Sequence, residues 1–194
     1  MRLGPLRRRA WLPLILAAGV LLGHGVWIQA KAVLAQHLLQ RAWDRTLADG
    51  EIHRPWPWAD HWPVARIRSA RHGVDWIVLE GDSGHVLAFA PGHHPRSALP
   101  GEGDVLVISG HRDTHFRFLK RVRLGDTIEV ETPEGRFAYE VDDFRVVSAS
   151  KARIRTGETG ELLMLVTCYP FDSPIAGARM RYVVTAAPSL GAAL

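Results

Sequence analysis

From Val64 onward the chain is a succession of short β-type runs separated by turn chemistry, and this rules out a helical core. The runs fall at Val64 to Ser69, Val74 to Glu80, Val105 to Ser109, Thr127 to Glu131, Arg136 to Val141, Phe144 to Ala149, Leu162 to Thr167 and Arg181 to Ala186. "TPEG" (Thr132 to Gly135) reads as a hairpin turn, and "LGD" (Leu124 to Asp126) introduces the strand before it. Helical pattern in this region is confined to short pieces around Ser83 to Phe89 and His115 to Val122. Eight short strands with regular turns predict an all-β domain, a closed or nearly closed antiparallel barrel.

The first 62 residues follow a different rule. Trp11 to Ala30 contains no Lys, Arg, Asp or Glu, and Arg2, Arg7, Arg8 and Arg9 precede it. As a helix such a run spans about 30 Å, the thickness of a bilayer core. Two readings fit: an uncleaved transmembrane anchor over residues 10–30, or a secretory signal cut near Ala30-Lys31-Ala32. The length favours the anchor, with residues 1–9 as a basic cytoplasmic tail and the rest of the chain exported. Lys31 to Ala48 keeps helical spacing through Ala35, Leu39, Ala42 and Trp43, which predicts a stalk ending at Asp49-Gly50. In "RPWPWADHWP" three prolines forbid a regular helix. Its tryptophans suit an extended segment lying on the domain, or an aromatic belt at a membrane surface. Residues 31–62 are thus expected to be stalk and linker, 63–187 the barrel and 188–194 a tail.

Composition narrows the function classes. The 194 residues are 47% hydrophobic and 23% charged, which suits one globular domain with an appendage and excludes disorder. The net charge is +4, but Arg66, Arg68, Arg71, Arg121, Arg123, Arg153 and Arg155 are scattered among acids. Without a basic stripe or an aromatic stacking platform, nucleic acid is not an expected partner.

Cys168 is the single cysteine. In an exported chain a lone thiol is either a small packed hydrophobe, an intermolecular bridge or a reactive group. It stands at the end of the strand run "LLMLVT", where a side chain can emerge at a barrel rim. A thiol nucleophile needs an acid–base partner and donors for an oxyanion. Of ten histidines, His111 is the best placed, just past the strand "VLVIS" and after Gly110. His85, His93 and His94 lie in turn-rich sequence, and His24, His37, His53, His61 and His72 in the anchor, stalk, linker or first hairpin.

Four ordered blocks carry a resemblance. "LVTCYP" (Leu165 to Pro170) resembles the T-L-x-T-C signature of sortases, with Thr167-Cys168 intact, and "LVISGHRD" (Leu106 to Asp113) is similar to the strand and Gly-His turn of that family. "AFAPGHHPRSALPGEGD" (Ala88 to Asp104) and "RFLKRVRLGDTIEVET" (Arg117 to Thr132) resemble the flanking segments, so the likeness covers about residues 60 to 187. It implies an eight-stranded sortase barrel and thiol transpeptidation without a cofactor. Cys168 would attack a peptide carbonyl in a C-terminal sorting signal of an exported substrate protein. His111 would protonate the departing amine and deprotonate an incoming one, the identity of that amine acceptor being open. An arginine on the final strand would hold substrate and oxyanion. Arg181, directly before "YVV", matches that arginine better than Arg179, which shares its strand face by spacing. Thr167 and Tyr169 would border the substrate. The anchor, Arg-rich composition and short ending "APSLGAAL" look like the class GN sortases of Gram-negative bacteria, implying a periplasmic domain on the inner membrane and a dedicated partner protein.

Two other readings stay open on the residues alone. His111, Asp113 and His115, near His93-His94, could gather a hydrolytic metal, although the i, i+4 spacing serves a metal only on a helix and Gly110 speaks for a turn. A non-enzymatic anchored β-barrel binding module would leave Cys168 inert. The papain-like pattern is absent, since the C-G-x-C-W signature is missing and the histidine precedes the cysteine.

Overall fold

The structure is a computed structural model that describes residues 11–150, 160–173 and 177–193. The basic residues 2–9 lie outside the described residues. The chain divides into two compact units at Leu38/Leu39, inside one helix, α1 (Trp11–Asp49). In the first unit the helix exposes Leu14, Ile15, Leu21, Leu22, Val26 and Trp27, and it is long and apolar enough to cross a membrane. The helix stops where the sequence predicts. Gly50 takes φ 73° and its N–H donates to Thr46 O at 2.9 Å, a left-handed cap that suits glycine.

The second unit is an eight-stranded closed barrel: β1 (Pro63–Ser69), β2 (Val74–Glu80), β3 (Gly92–His93), β4 (Val105–Ser109), β5 (Thr127–Thr132), β6 (Gly135–Ser148), β7 (Leu162–Tyr169) and β8 (Met180–Ala193). The order around the wall is β1-β2-β3-β4-β7-β8-β6-β5. A single helical turn, α2 (Gly84–Leu87), precedes β3, and the expected helical piece near His115 is a 3₁₀ turn over Arg117–Arg121.

The structure departs from expectation at four places. The two runs on either side of Asp142-Asp143 are one strand, β6, because a register shift between Val141 and Asp143 absorbs the polar interruption as a bulge. The eighth strand is instead β3, two residues too short to give a periodic signal. It is wedged so tightly that a Cβ on Gly92 would lie 2.1 Å from Gly81 O. The barrel is also not wholly antiparallel: β2–β3 and β4–β7 pair in parallel, made possible by crossovers through α2 and through the β5–β6 hairpin. Residues 188–193 form no tail, since they extend β8 along β6 as far as the pair Phe137↔Ala193.

Alternation fills the interior. Ile67, Ile108, Val130, Leu163, Leu165 and Val184 meet there with Phe116 and Tyr139. Strand β2 is buried on both faces, because Val74 and Val78 point to this core while Ile77 and Leu79 face Leu39, Trp43, Val86 and Ala90. The last turns of the expected stalk are therefore part of the domain. The Pro/Trp segment also lies on it: Trp56 meets Phe89 edge-on at 5.5 Å, and His61, fully buried, stacks on Phe89 at 5.4 Å. Trp58 alone of its three tryptophans is exposed.

Beneath the β1–β2 hairpin, buried Asp126 accepts from His72 Nε2 at 2.7 Å and from the Arg123 N–H at 2.9 Å, with Arg71 Nη1 at 3.0 Å. Burial pushes this carboxyl up, but the His72 and Arg123 hydrogen bonds and the Arg71 charge outweigh it and hold the group below its ordinary 3.8. A depressed folded value means that its stabilisation is present above the unfolded value and lost as pH falls through the folded one. Asp126→Asn is accordingly expected to lower the melting temperature at pH 7, with the gap to wild type closing below about pH 3.8 in a thermal-melt pH series. Trp43→Ala removes the largest side chain between α1 and β2 and is expected to cost about 3–5 kcal/mol by chemical denaturation.

Candidate active site

Strands β4 and β7 run parallel in one continuous register, Val105↔Leu162 through Ser109↔Val166. Parallel neighbours finish at the same rim, and His111 and Cys168 each lie two residues beyond the last registered pair, Ser109↔Val166. The ladder continues into that step: Gly110 N–H donates to Val166 O at 3.1 Å, and Thr167 Oγ1 donates to Gly110 O at 2.7 Å. Glycine is required at this step, because a Cβ on Gly110 would stand 2.6 Å from the Phe116 ring. His111 then leaves the strand exposed, its carbonyl accepting from Phe116 N–H at 3.0 Å to close the turn.

On the other side of β7, Cys168 pairs directly with Arg181 of antiparallel β8. Opposed residues have Cα atoms roughly 4.5–5.5 Å apart with side chains on one face. Leu163, Leu165 and Thr167 are buried, so the alternate residue Cys168 projects from the outer face of the wall, half-buried. Arg181 is steadied by its own strand start, Nη1 donating to Ala178 O at 2.7 Å and Met180 O at 3.1 Å. Arg179, the second choice, is exposed just before β8. The structure thus brings Cys168, His111 and Arg181 to one rim.

Thr167 takes another part than the substrate contact expected of it. Thr167 points inward, 2% exposed, with its hydroxyl committed to Gly110. Tyr169 stacks on Tyr182 at 6.2 Å and meets Phe171 edge-on, one member of an aromatic group at the barrel mouth. The metal alternative loses its ligands as well. Among the described residues the set of three or more ligating groups able to converge is Asp60, His61 and His85, on the linker side, and not His111, Asp113 and His115. His115 packs edge-on against Trp76 at 5.0 Å. Burial pulls its pKa down, and the nearby His111 charge adds to this, so it favours the neutral form. His93, buried, is held by Glu80 at 2.8 Å within the wall.

One contributor escapes a reading of the sequence. Arg112, in a turn where arginines are ordinarily solvated, is 6% exposed and donates to Pro170 O and Ser173 O, both at 2.8 Å. A cavity of about 1040 Å³ opens between the β1–β2 turn and the segments after His111 and after Cys168, lined among others by His72, Trp76, Arg112, His115, Arg121 and Phe171 but by neither His111 nor Cys168. The "GHRD" motif holds Arg112 in plain view, but its burial depends on a loop distant in sequence.

Known proteins agree with this architecture. Residues 67–189 match the family model described as the sortase domain. Over 108 residues the chain is 35% identical to Sortase D of Bacillus subtilis (strain 168), covering 55% of this chain and 54% of that protein, so the chain spans about half the length of this curated relative. A Clostridium perfringens Sortase D5 transpeptidase superposes with a TM-score of 0.66 at 23% identity, over 81% of this chain and 99% of that one, a likeness of fold. Sortase A from Corynebacterium diphtheriae gives 0.56 at 26% identity, over 68% and 63%.

Thr167→Val keeps the shape of the buried side chain and deletes the bond to Gly110. It is expected to cost about 1–3 kcal/mol, since the buried carbonyl is left unmatched, while Thr167→Ser retains most of the stability. Chemical denaturation of the two variants checks this.

Proposed function

Because the chain belongs to the sortase family, we propose that it is a cysteine transpeptidase acting on a sorting signal of an exported protein, with Cys168 as nucleophile, His111 as acid–base and Arg181 as oxyanion and substrate holder. The observation that supports this reading is the shared rim: β4 and β7 end in register at Ser109↔Val166, two residues before His111 and Cys168, and Arg181 is the β8 partner of Cys168.

The chemistry follows from the positions. The thiolate is the attacking form of cysteine, and its sulfur adds to the scissile carbonyl carbon. Negative charge then gathers on the carbonyl oxygen, beside a guanidinium whose donors are fixed and which stays charged throughout. As the C–N bond breaks, protonated His111 gives its proton to the departing amine nitrogen, leaving a thioester on Cys168. An acceptor amine enters, neutral His111 takes its proton, the new amide forms and the sulfur departs as thiolate.

Helix α1 supplies the location in this reading. Its apolar stretch serves as a membrane anchor, and Arg2, Arg7, Arg8 and Arg9 ahead of it favour the cytoplasmic side for the amino terminus. The barrel then stands on the outer side of the cytoplasmic membrane, which in a Gram-negative cell is the periplasm, within reach of an exported partner.

The test is mass spectrometry of Cys168 after incubation with a library of peptides patterned on C-terminal sorting signals. A thioester adduct is expected on the wild type and none on Cys168→Ala. His111→Ala is expected to slow transfer by about 10²- to 10⁴-fold, and Arg181→Ala by about 10²- to 10³-fold, with Arg179→Ala much milder. Full activity in Cys168→Ala, or activity abolished by a chelator, overturns the reading.

A further inference from the structure

A buried arginine is costly, because removing a cation from water carries a penalty of several kcal/mol unless its donors are matched. Methionine or leucine could fill the same space more cheaply, so packing does not account for Arg112. What the guanidinium adds is a fork of fixed donors. Nη1 reaches Pro170 O and Nη2 reaches Ser173 O, each at 2.8 Å, while Nε lies 3.5 Å from the Asp113 carboxylate. A planar guanidinium holds two separate carbonyls at a set spacing, which a single ammonium group does not.

The placement of these bonds is informative. The β4–β7 ladder joins the two chains as far as Gly110 and Thr167, through Gly110 N–H to Val166 O and Thr167 Oγ1 to Gly110 O, while β8 continues beside Cys168 and Tyr169. Each of these residues is one step short of a reactive side chain. Arg112 takes up the chains again on the far side, tying the residue after His111 to the segment after Cys168. His111 is thereby bracketed by Gly110 and Arg112, and Cys168 by Thr167 and Pro170. Both backbones are thus held on either side of the two side chains.

We infer that Arg112 is a positioning residue that sets His111 against Cys168 by clamping their two loops together. This rests on the transpeptidase reading but can be tested without knowing the substrate. Nearby imidazolium speeds the reactions of a thiol by favouring its thiolate, so the rate of Cys168 alkylation reports on the pairing.

The experiment measures the second-order rate of iodoacetamide with Cys168 at pH 7 in the full chain, for wild type, H111A, R112M and the double variant. H111A is expected to react about tenfold more slowly than wild type. R112M should lose most of that same factor, and the double variant should be no slower than H111A alone, the non-additivity of groups that act as a unit. R112A, slowed likewise, should recover rate with millimolar guanidinium and not with ammonium. Should R112M fail to fold, R112K carries the comparison, because it keeps a buried cation but not the two-carbonyl fork; it is expected to fall well short of wild type. A wild-type rate in R112M or R112K beside a slowed H111A overturns the clamp and leaves the transpeptidase reading standing, and so does strict additivity in the double variant. An H111A rate equal to wild type overturns the pairing and the clamp together.

Discussion

The parallel pairing of β4 with β7 is the constraint on which the rest of the molecule depends. Antiparallel neighbours end at opposite rims, so a histidine and a cysteine at the ends of such a pair would stand a strand length apart. Parallel neighbours end together. The arrangement requires a long crossover, because the chain must return to the starting edge before β7 can begin, and the β5–β6 hairpin fills that return. The antiparallel β8 then starts where β7 finishes, and this direction is what puts Arg181 near the beginning of its strand opposite Cys168 near the end of the other.

The same geometry explains why the side chains proposed to react lie outside the barrel. An eight-stranded barrel has an interior just large enough for its own side chains. Here Leu163, Leu165, Val184 and Ala186 occupy it from the two strands that carry the site. Period-two alternation then leaves Cys168 and Arg181 on the outer face, while Thr167 turns inward and becomes a strut. A packed interior thus provides a rigid floor, and chemistry is confined to what projects from it.

How much of this is legible in the sequence follows from the range of each interaction. Strand runs of five or more residues announce themselves through local composition, and so do Gly50 as a helix stop and Gly110 before His111. Cys168 stands out as the single thiol after a strand, and His111 as the histidine after a glycine turn. What stays hidden depends on partners remote in the chain. Strand β3 exists because Gly81 and Ser109 offer it edges, not because Gly92-His93 favours extension. The bulge in β6 can carry Asp142 and Asp143 because β8 accommodates the shift. The burial of Arg112 is set by carbonyls of the β7–β8 segment.

The segregation of charge points the same way. Barrel arginines such as Arg66 and Arg68 are matched by Asp75 and Glu131 across the strands, and such partly exposed pairs contribute little each. Arg112 and Arg181 also donate to backbone carbonyls, Arg112 to Pro170 O and Ser173 O and Arg181 to Ala178 O and Met180 O, and the Asp113 carboxylate lies 3.5 Å from Arg112 Nε. A carbonyl holds a guanidinium in place without cancelling its charge, whereas a carboxylate would do both. In the proposed reaction an oxyanion forms beside Arg181, and a guanidinium already fixed by carbonyls needs no reorganisation to meet it. Surface arginines that pair with acids serve the wall; in the proposed mechanism Arg112 orients the rim and Arg181 meets the oxyanion.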